Sequence, residues 1–346
     1  MPTLPPPVAP MLAALARELP RGPEWTYEPK WDGFRCLAFR EGDAVDLRSR
    51  NGKALARYFP EVTEALRVVP DDSFVLDGEL LAAGPGGAPD FGALMARLHP
   101  AASRVARLAA ETPATLVAFD LLAAGGADLR RRPFAERRAR LLALLGDGGA
   151  ALRPTPATAD PAEAELWLDQ PPGGALDGVV AKTVDLTYQP GKRAMVKVKR
   201  ERSADCVVAG MRLAEGPVVS SLLLGLWDGD ELRHVGVVQA FARTERARLA
   251  EVLAACVVPL AGHPWEHGFA LEGGHIGRLA GAAGRWTPEL SLDWVPLRPV
   301  LVAEVTYSQV DLGTRFRHPA LLLRWRPDRD ARDCLIGQLA PAGRPA

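Results

Sequence analysis

Lys30 lies in EPKWDGFR, residues 28–35, in a chain that otherwise avoids lysine. Of 42 lysines and arginines in 346 residues, six are lysine: Lys30, Lys53, Lys182, Lys192, Lys197 and Lys199. A lysine that persists against such a bias marks a place where arginine fails. Attack by a neutral amine is one such task, because guanidinium does not lose its proton in proteins. An ordinary lysine is neutral in about one molecule in 2,500 at pH 7, so a nucleophilic lysine needs cations or desolvation beside it. Lys197 and Lys199, in MVKVKR, are two apart, which on a strand puts both on one face and Val196 and Val198 on the other. That face would bring two ammonium groups to one pocket, where they depress Lys30 and hold phosphate. A half-exposed edge strand is the competing explanation of the same alternation.

The elements that must position these residues are short apolar runs bounded by Gly, Pro or Asp, which predict strands. CLAFR, FVLDGELLAA, TLVAFDLLA, GVVAKTV and MVKVKR are of this kind, and PEVTEALRVV, FGALMARLHP and FAERRARLLALL between them predict helices. The mixture lacks regular βαβ alternation, so an α+β domain with antiparallel sheets is expected. After about residue 201 the texture changes to roughly five strands with one helix, RTERARLAEVLAAC. Asp228-Gly229 between two apolar runs marks a hairpin, and the pattern suggests a small OB-type barrel. The expected domains are therefore 1–201 and 202–346, with a boundary near Arg200–Ser203.

Hydrophobic content of 48% and charged content of 24% are those of a globular protein, and the net charge of zero argues against a generally basic coat. LRRRPFAERRAR, residues 129–140, is an exception with Arg130, Arg131, Arg132, Arg137, Arg138 and Arg140. It is either a solvated helix with Leu141, Leu142 and Leu145 as its buried side, or a phosphate-contacting patch. Four isolated cysteines without a CxxC suit a reducing cytosol and give no structural zinc site. No signal peptide or membrane-length apolar stretch is visible, so a cytoplasmic protein is expected. MPTLPPPVAP and APAGRPA read as loose tails.

Lys30-Trp31-Asp32-Gly33-Phe34-Arg35 fits KxDGxR, the signature shared by ATP-dependent DNA ligases, RNA ligases and capping guanylyltransferases. Ser49-Arg50-Asn51-Gly52, Leu76-Asp77-Gly78-Glu79, Phe119-Asp120, Asp177 through Lys182 and Lys197-Val198-Lys199 follow in the family's order, and Arg324-Trp325-Arg326-Pro327-Asp328 resembles its last motif. The resemblance covers nearly the whole chain and is strongest to small bacterial ATP-dependent DNA ligases akin to the ligase module of end-joining enzymes. It implies a nucleotidyltransferase (adenylation) domain with ATP-grasp-like antiparallel sheets, followed by an OB-fold domain carrying the last motif.

It also implies roles. Lys30 attacks the α-phosphate of ATP and holds AMP as a phosphoramidate. Glu28 accepts a hydrogen bond from the adenine amino group and rejects guanine, whose carbonyl is a second acceptor. Phe119 stacks on the purine, or else is a core aromatic beside Leu116, Val117 and Leu121. Arg35 and Arg50 engage ribose and phosphates, and later the 5′-phosphate of the break. Asp32 faces the 3′-hydroxyl, and Glu79 holds a ribose hydroxyl or a metal. Asp177 binds Mg²⁺ (or Mn²⁺), although the family commonly has glutamate there. Lys197 and Lys199 act on phosphates, and Arg324 and Arg326 close over the β- and γ-phosphates from the second domain. Arg329 stands where the family commonly has lysine. Lys182 ranks low, since a lysine on a turn after a strand is as often solvated.

The implied partners are nicked duplex DNA and end-joining or repair factors, met by a monomer close to the nucleoid. Two alternatives stay open: an RNA ligase or capping-type enzyme sharing the first step, and a non-catalytic OB-fold nucleic-acid binder.

Overall fold

The computed structural model describes residues 4–84, 87–98, 101–170, 176–214, 216, 218–239, 241, 243–268, 294–311 and 315–339. The chain divides into two compact units at Arg200/Glu201.

The first unit is built on two sheets. A larger one has the order Ala44–Ser49, Phe34–Glu41, Ser73–Ala82, Ala114–Ala124, Ala127–Asp128, with Leu152–Pro154 joining Ala114–Ala124 in parallel. Helix Pro60–Arg67 starts on a proline at its first position, where the missing N–H costs nothing, and buries Val62 and Leu66 against this sheet. The smaller sheet has the order Leu12–Ala16, Arg193–Val198, Leu176–Thr183, Trp25–Trp31. Pro29 lies in Trp25–Trp31, an edge strand, which is where a residue without an N–H can be tolerated. Met11, Leu37, Phe39, Val75, Leu122 and Met195 form one apolar cluster, while Tyr27, Val179, Ala181 and Val198 form another with Ala164 of helix Pro161–Leu168.

Two motif glycines are fixed by close approach. A Cβ on Gly33 would stand 2.1 Å from the Leu80 carbonyl oxygen. On Gly178, whose φ is +128°, it would stand 2.1 Å from the Val198 carbonyl oxygen. A side chain on Gly33 would push the start of Phe34–Glu41 off Ser73–Ala82, and one on Gly178 would push the strand carrying Asp177 off Arg193–Val198.

The second unit holds five antiparallel-paired strands in the order Glu231–Val238, Val219–Asp228, Arg202–Leu213, Val295–Tyr307, Leu321–Trp325. A parallel bridge between Val238 and Ala320, with Ala320 N donating to Val237 O at 2.8 Å, joins the two ends of that order. Helix Arg243–Ala254 comes between the third and fourth strands in sequence. Five strands whose two ends are joined in this way form a small β-barrel. The hairpin turns at Gly229-Asp230, with Asp228 opposite Glu231 and Gly229 at φ +59°, a conformation that suits glycine.

Two expectations need correction. The N-terminal segment from Leu4 is not a loose tail: Leu4 and Met11 are buried, and Leu12–Ala16 pairs in parallel with Arg193–Val198. Its prolines hide a packing role that depends on Leu4 and Val8 meeting the apolar cluster. The other segment, APAGRPA, lies outside the described residues. The arginine-rich stretch is not a simple solvated helix, although Arg131, Arg132 and Arg140 are exposed. In helix Phe134–Leu145 Arg137 is fully buried and Leu142 is 41% exposed, whereas Leu141 is buried as expected. Among the described residues no helix is long and apolar enough to cross a membrane, and Cys36, Cys206, Cys256 and Cys334 are all free thiols.

Candidate active site

Lys30 projects from the end of the edge strand Trp25–Trp31 into a hollow of about 420 Å³ within the first unit. Glu28, Trp31, Arg35, Arg50, Glu79, Phe119, Lys182, Arg193, Lys197 and Lys199 also line it. Four of the six lysines therefore meet in one place, and Lys53 and Lys192 are not among its walls. The strand carrying Lys197 ends at Val198, so Lys199 stands one residue past it, yet both line the hollow.

The charge around Lys30 differs from expectation. Its Nζ donates to Asp177 Oδ2 at 2.7 Å, and Lys199 Nζ reaches the same oxygen at 2.5 Å. Burial would raise the Asp177 carboxyl, but Lys30 and Lys199 outweigh it and hold it below the ordinary range. Cations do crowd this corner, but the closest partner of Lys30 is an anion. The Lys197 ammonium is pushed below the usual lysine range by burial, then by Lys199 and Lys30.

Glu28 is 2% exposed and ion-paired on both oxygens, Oε2 with Lys182 at 2.7 Å and Oε1 with Arg138 at 3.3 Å. Burial nevertheless raises its carboxyl above the usual range, more than the two cations lower it. Lys182 is the clearest correction to the sequence reading. It is 1% exposed on strand Leu176–Thr183, donates to the Phe119 carbonyl at 3.0 Å, and lies 4.4 Å from the Phe134 ring centre. The scarcity of lysine that singled out Lys30 applied equally to Lys182.

Phe119 is half-buried in the middle of strand Ala114–Ala124, with its ring at the hollow rather than in the core clusters. Arg35 lies over that ring at 4.5 Å. Its Nε and Nη2 form a two-pronged pair with Asp77, both at 2.5 Å, and Nη2 also donates to the Met11 carbonyl. Burial works against the Arg35 cation, but Asp77 outweighs it and raises its pKa. Asp77, fully buried, also accepts from the Tyr188 hydroxyl at 2.7 Å, and that hydroxyl accepts from Met11 N. Arg35 thus spends part of its fork on the protein, which its motif alone did not reveal. Asp120 is likewise occupied, by Arg137 at 2.7 and 2.9 Å.

Glu79 Oε1 accepts from Gly33 N at 3.2 Å. Its carboxyl is pushed up to about 7, chiefly by burial, against the pull of Arg35 and Lys30. Arg50 is exposed in the turn closed by Gly52 N donating to Ser49 O at 2.8 Å. Asp32 occupies the turn between Lys30 and Gly33, half-buried, and is not among the residues lining the hollow.

In the second unit the side chains of the last motif are engaged locally. Arg324 Nε reaches Glu304 at 2.6 Å, Arg326 pairs with Asp205 at 3.0 Å and with Asp328 at 2.8 Å, and Arg329 reaches Asp205 at 3.0 Å.

Among the described residues no group of three or more His, Cys, Asp or Glu is placed to hold a metal ion. Asp177 and Glu79 supply hard carboxylate oxygens, which suits a magnesium ion that keeps water and takes phosphate oxygens as its other ligands.

Comparison with known proteins is consistent along the chain. The family described as ATP dependent DNA ligase domain matches residues 10–199, and ATP dependent DNA ligase C terminal region matches residues 215–329. DNA ligase C2 of Mycolicibacterium smegmatis is 48% identical over 338 residues, 96% of this chain and 94% of that protein. DNA ligase C of Mycobacterium tuberculosis is 48% identical over 341 residues, with the same coverage of 96% and 94%. The multifunctional non-homologous end joining protein LigD of Mycolicibacterium smegmatis is 30% identical, over 93% of this chain but 38% of that protein. A solved structure from a study of DNA binding with a minimal scaffold in Lig E DNA ligases shares the fold, with a TM-score of 0.51 at 17% identity, covering 92% of this chain and all of that one.

Proposed function

The chain belongs to the ATP-dependent DNA ligases, and from that premise we propose that Lys30 is the amine that takes AMP from ATP and passes it to the 5′-phosphate of a DNA break. The observation that carries this reading is the meeting of Lys30, Lys197 and Lys199 in one hollow with Glu28, Phe119 and Glu79. Such a hollow offers cations for a triphosphate and a ring and acceptor for a purine.

To attack, Lys30 must give up its contact with Asp177 and release one ammonium proton to water; a second proton leaves the nitrogen for water once the bond to phosphorus has formed. Lys199 bonds the same Asp177 oxygen, so the carboxylate keeps a cationic partner when Lys30 leaves it. Lys30 Nζ then forms a bond to the α-phosphorus as the bond to the pyrophosphate oxygen breaks, and pyrophosphate departs with the electron pair. Lys197 and Lys199 neutralise charge on the phosphoryl oxygens, the main contribution a protein can make to phosphoryl transfer. Phe119 supports the purine face, with Arg35 held over its ring by Asp77. Glu28 receives the adenine amino group; a carboxylate has four acceptor sites, so its two cations do not exhaust it.

Asp177 and Glu79 are the residues that would hold Mg²⁺ (or Mn²⁺), which when bound supplies charge neutralisation at the phosphates. Arg324 and Arg326 serve the β- and γ-phosphates, and exchange their partners Glu304, Asp205 and Asp328 for phosphate oxygens to do so. Arg329 shares Asp205 with Arg326 and is the third cation of that group. A hinge at Arg200–Ser203, between an adenylation domain of residues 1–201 and an OB domain of residues 202–346, lets them engage and withdraw.

In the later steps Arg35 and Arg50 take the 5′-phosphate and Asp32 the 3′-hydroxyl, which attacks the DNA-adenylate and expels AMP. The substrate is nicked duplex DNA gripped through its phosphates. The likeness to LigD supports work beside end-joining or repair factors, and we propose that the protein acts as a monomer in the cytoplasm at the nucleoid. The test is transfer of label from α-labelled ATP to the protein, then to a nicked duplex, with Lys30→Ala as control. Label that stays on the protein when nicked DNA is added would contradict the DNA step.

A further inference from the structure

We propose that Arg138 is a positioning residue that keeps Glu28 an ionised acceptor turned to the nucleobase, and thereby sets the preference for adenine over guanine. The proposal rests on the reading above that Glu28 meets the adenine amino group. Arg138 comes from the arginine-rich helix Phe134–Leu145, whose role the resemblance leaves unassigned. Its fork bonds a residue that lines the hollow and one behind it: Nη1 donates to Glu28 Oε1 at 3.3 Å and Nη2 to the Thr155 carbonyl at 3.0 Å. Thr155 in turn accepts from Trp31 Nε1 at 2.8 Å through its hydroxyl, and its N–H donates to Ala118 O at 2.8 Å. One guanidinium therefore braces the carboxylate two residues before Lys30 and, through Thr155, the indole one residue after it.

The charges facing Glu28 come from three elements. Lys182 on strand Leu176–Thr183 holds Oε2, Arg138 holds Oε1, and Asp120 on strand Ala114–Ala124 opposes both. Asp120 is itself paired with Arg137, so neighbouring arginines of one helix each hold a buried carboxylate. An ionised Glu28 accepts from an amino group; a protonated one can donate to a carbonyl. Burial already raises the carboxyl, and loss of Arg138 removes one of the two cations that lower it, which favours the protonated form. The base that fits then changes from one bearing an amino group to one bearing a carbonyl.

The experiment is single-turnover labelling of the full chain from α-labelled ATP or GTP with Mg²⁺ between pH 5.5 and 8.5. Wild type is compared with Arg138→Met, Arg138→Lys and Glu28→Gln. Arg138→Met is expected to raise the ATP concentration for half-maximal labelling roughly 10- to 100-fold, with the maximal rate changed far less. Its acid limb with ATP moves to higher pH, its GTP-to-ATP labelling ratio rises between pH 8 and pH 6, and Arg138→Lys recovers the acid limb. If Arg138→Met keeps the wild-type half-saturation and acid limb while Glu28→Gln loses adenine preference, the role of Arg138 is refuted and that of Glu28 stands. If Glu28→Gln also keeps wild-type affinity and preference, the contact of Glu28 with the base is refuted. Should the Met variant fail to fold, Arg138→Gln, which keeps a donor for Thr155 without the charge, decides by the same readouts.

Discussion

Glu79 is a carboxylate held at a cost, and replacing it with glutamine should expose that cost as a function of pH. Its carboxyl is pushed from an ordinary 4.5 up to about 7, with burial the largest cause and Arg35 and Lys30 unable to offset it. A folded value above the unfolded one means that the folded chain binds more protons between those pH values. Stability therefore falls as pH rises from 4.5 through 7 and levels off above it. A shift of this size corresponds to roughly 2–3 kcal/mol once partial solvent screening is allowed for. Glu79→Gln keeps an acceptor for Gly33 N and removes the titration. At pH 4, below the ordinary value, Glu79 is neutral in both folded and unfolded chains, and the two proteins should have nearly equal stability. At pH 8 the glutamine protein should be more stable by about that 2–3 kcal/mol, while its labelling by ATP falls because a charge for metal or ribose is gone. Urea denaturation from pH 4 to 8, read by a fixed-pH hydrogen-exchange pulse over Ser73–Ala82, measures the difference where it arises. A difference that stays flat with pH, or a glutamine protein less stable at pH 8, would show that Arg35 and Lys30 fully compensate Glu79 and would refute the reasoning.

The buried pair Arg137–Asp120 predicts that Arg137→Leu loses about 3–5 kcal/mol of stability, since it leaves Asp120 buried without its cation; urea denaturation at pH 7 checks this. Arg326→Ala should slow self-adenylation by roughly 100-fold yet leave sealing of a pre-adenylated nick nearly intact, as single-turnover assays of the two steps will show. Equal loss in both steps would count against its service to the leaving phosphates. Binding to a nicked duplex should weaken about a thousandfold between 50 and 200 mM salt if some six phosphates are contacted. A flat salt response in a fluorescence titration would contradict a grip on the backbone.

Much of the site was legible because its chemistry restricts residue choice. The proposed neutral amine asks for lysine, and close backbone approach requires Gly33 and Gly178, so these left marks in the linear sequence. Strands such as Phe34–Glu41 and Ser73–Ala82 were legible from apolar runs ended by turn residues. What escaped were side chains whose partners come from far along the chain. Nothing local distinguishes Arg137 and Arg138 from Arg140, although the first two are internal struts and Arg140 pairs with Glu136 at a half-exposed surface. Tyr188, which ties Asp77 to Met11, is separated from Asp77 by 111 residues, beyond any periodicity. The engagement of Lys30 by Asp177, 147 residues away, was hidden for the same reason.

Intact mass of the full chain, before and after incubation with ATP and Mg²⁺, addresses the covalent step with least inference. The wild-type protein should gain one adenylyl group, and Lys30→Ala should gain none. A wild-type chain that never gains it, or a Lys30→Ala chain that gains it equally, would remove the amine at the heart of this account.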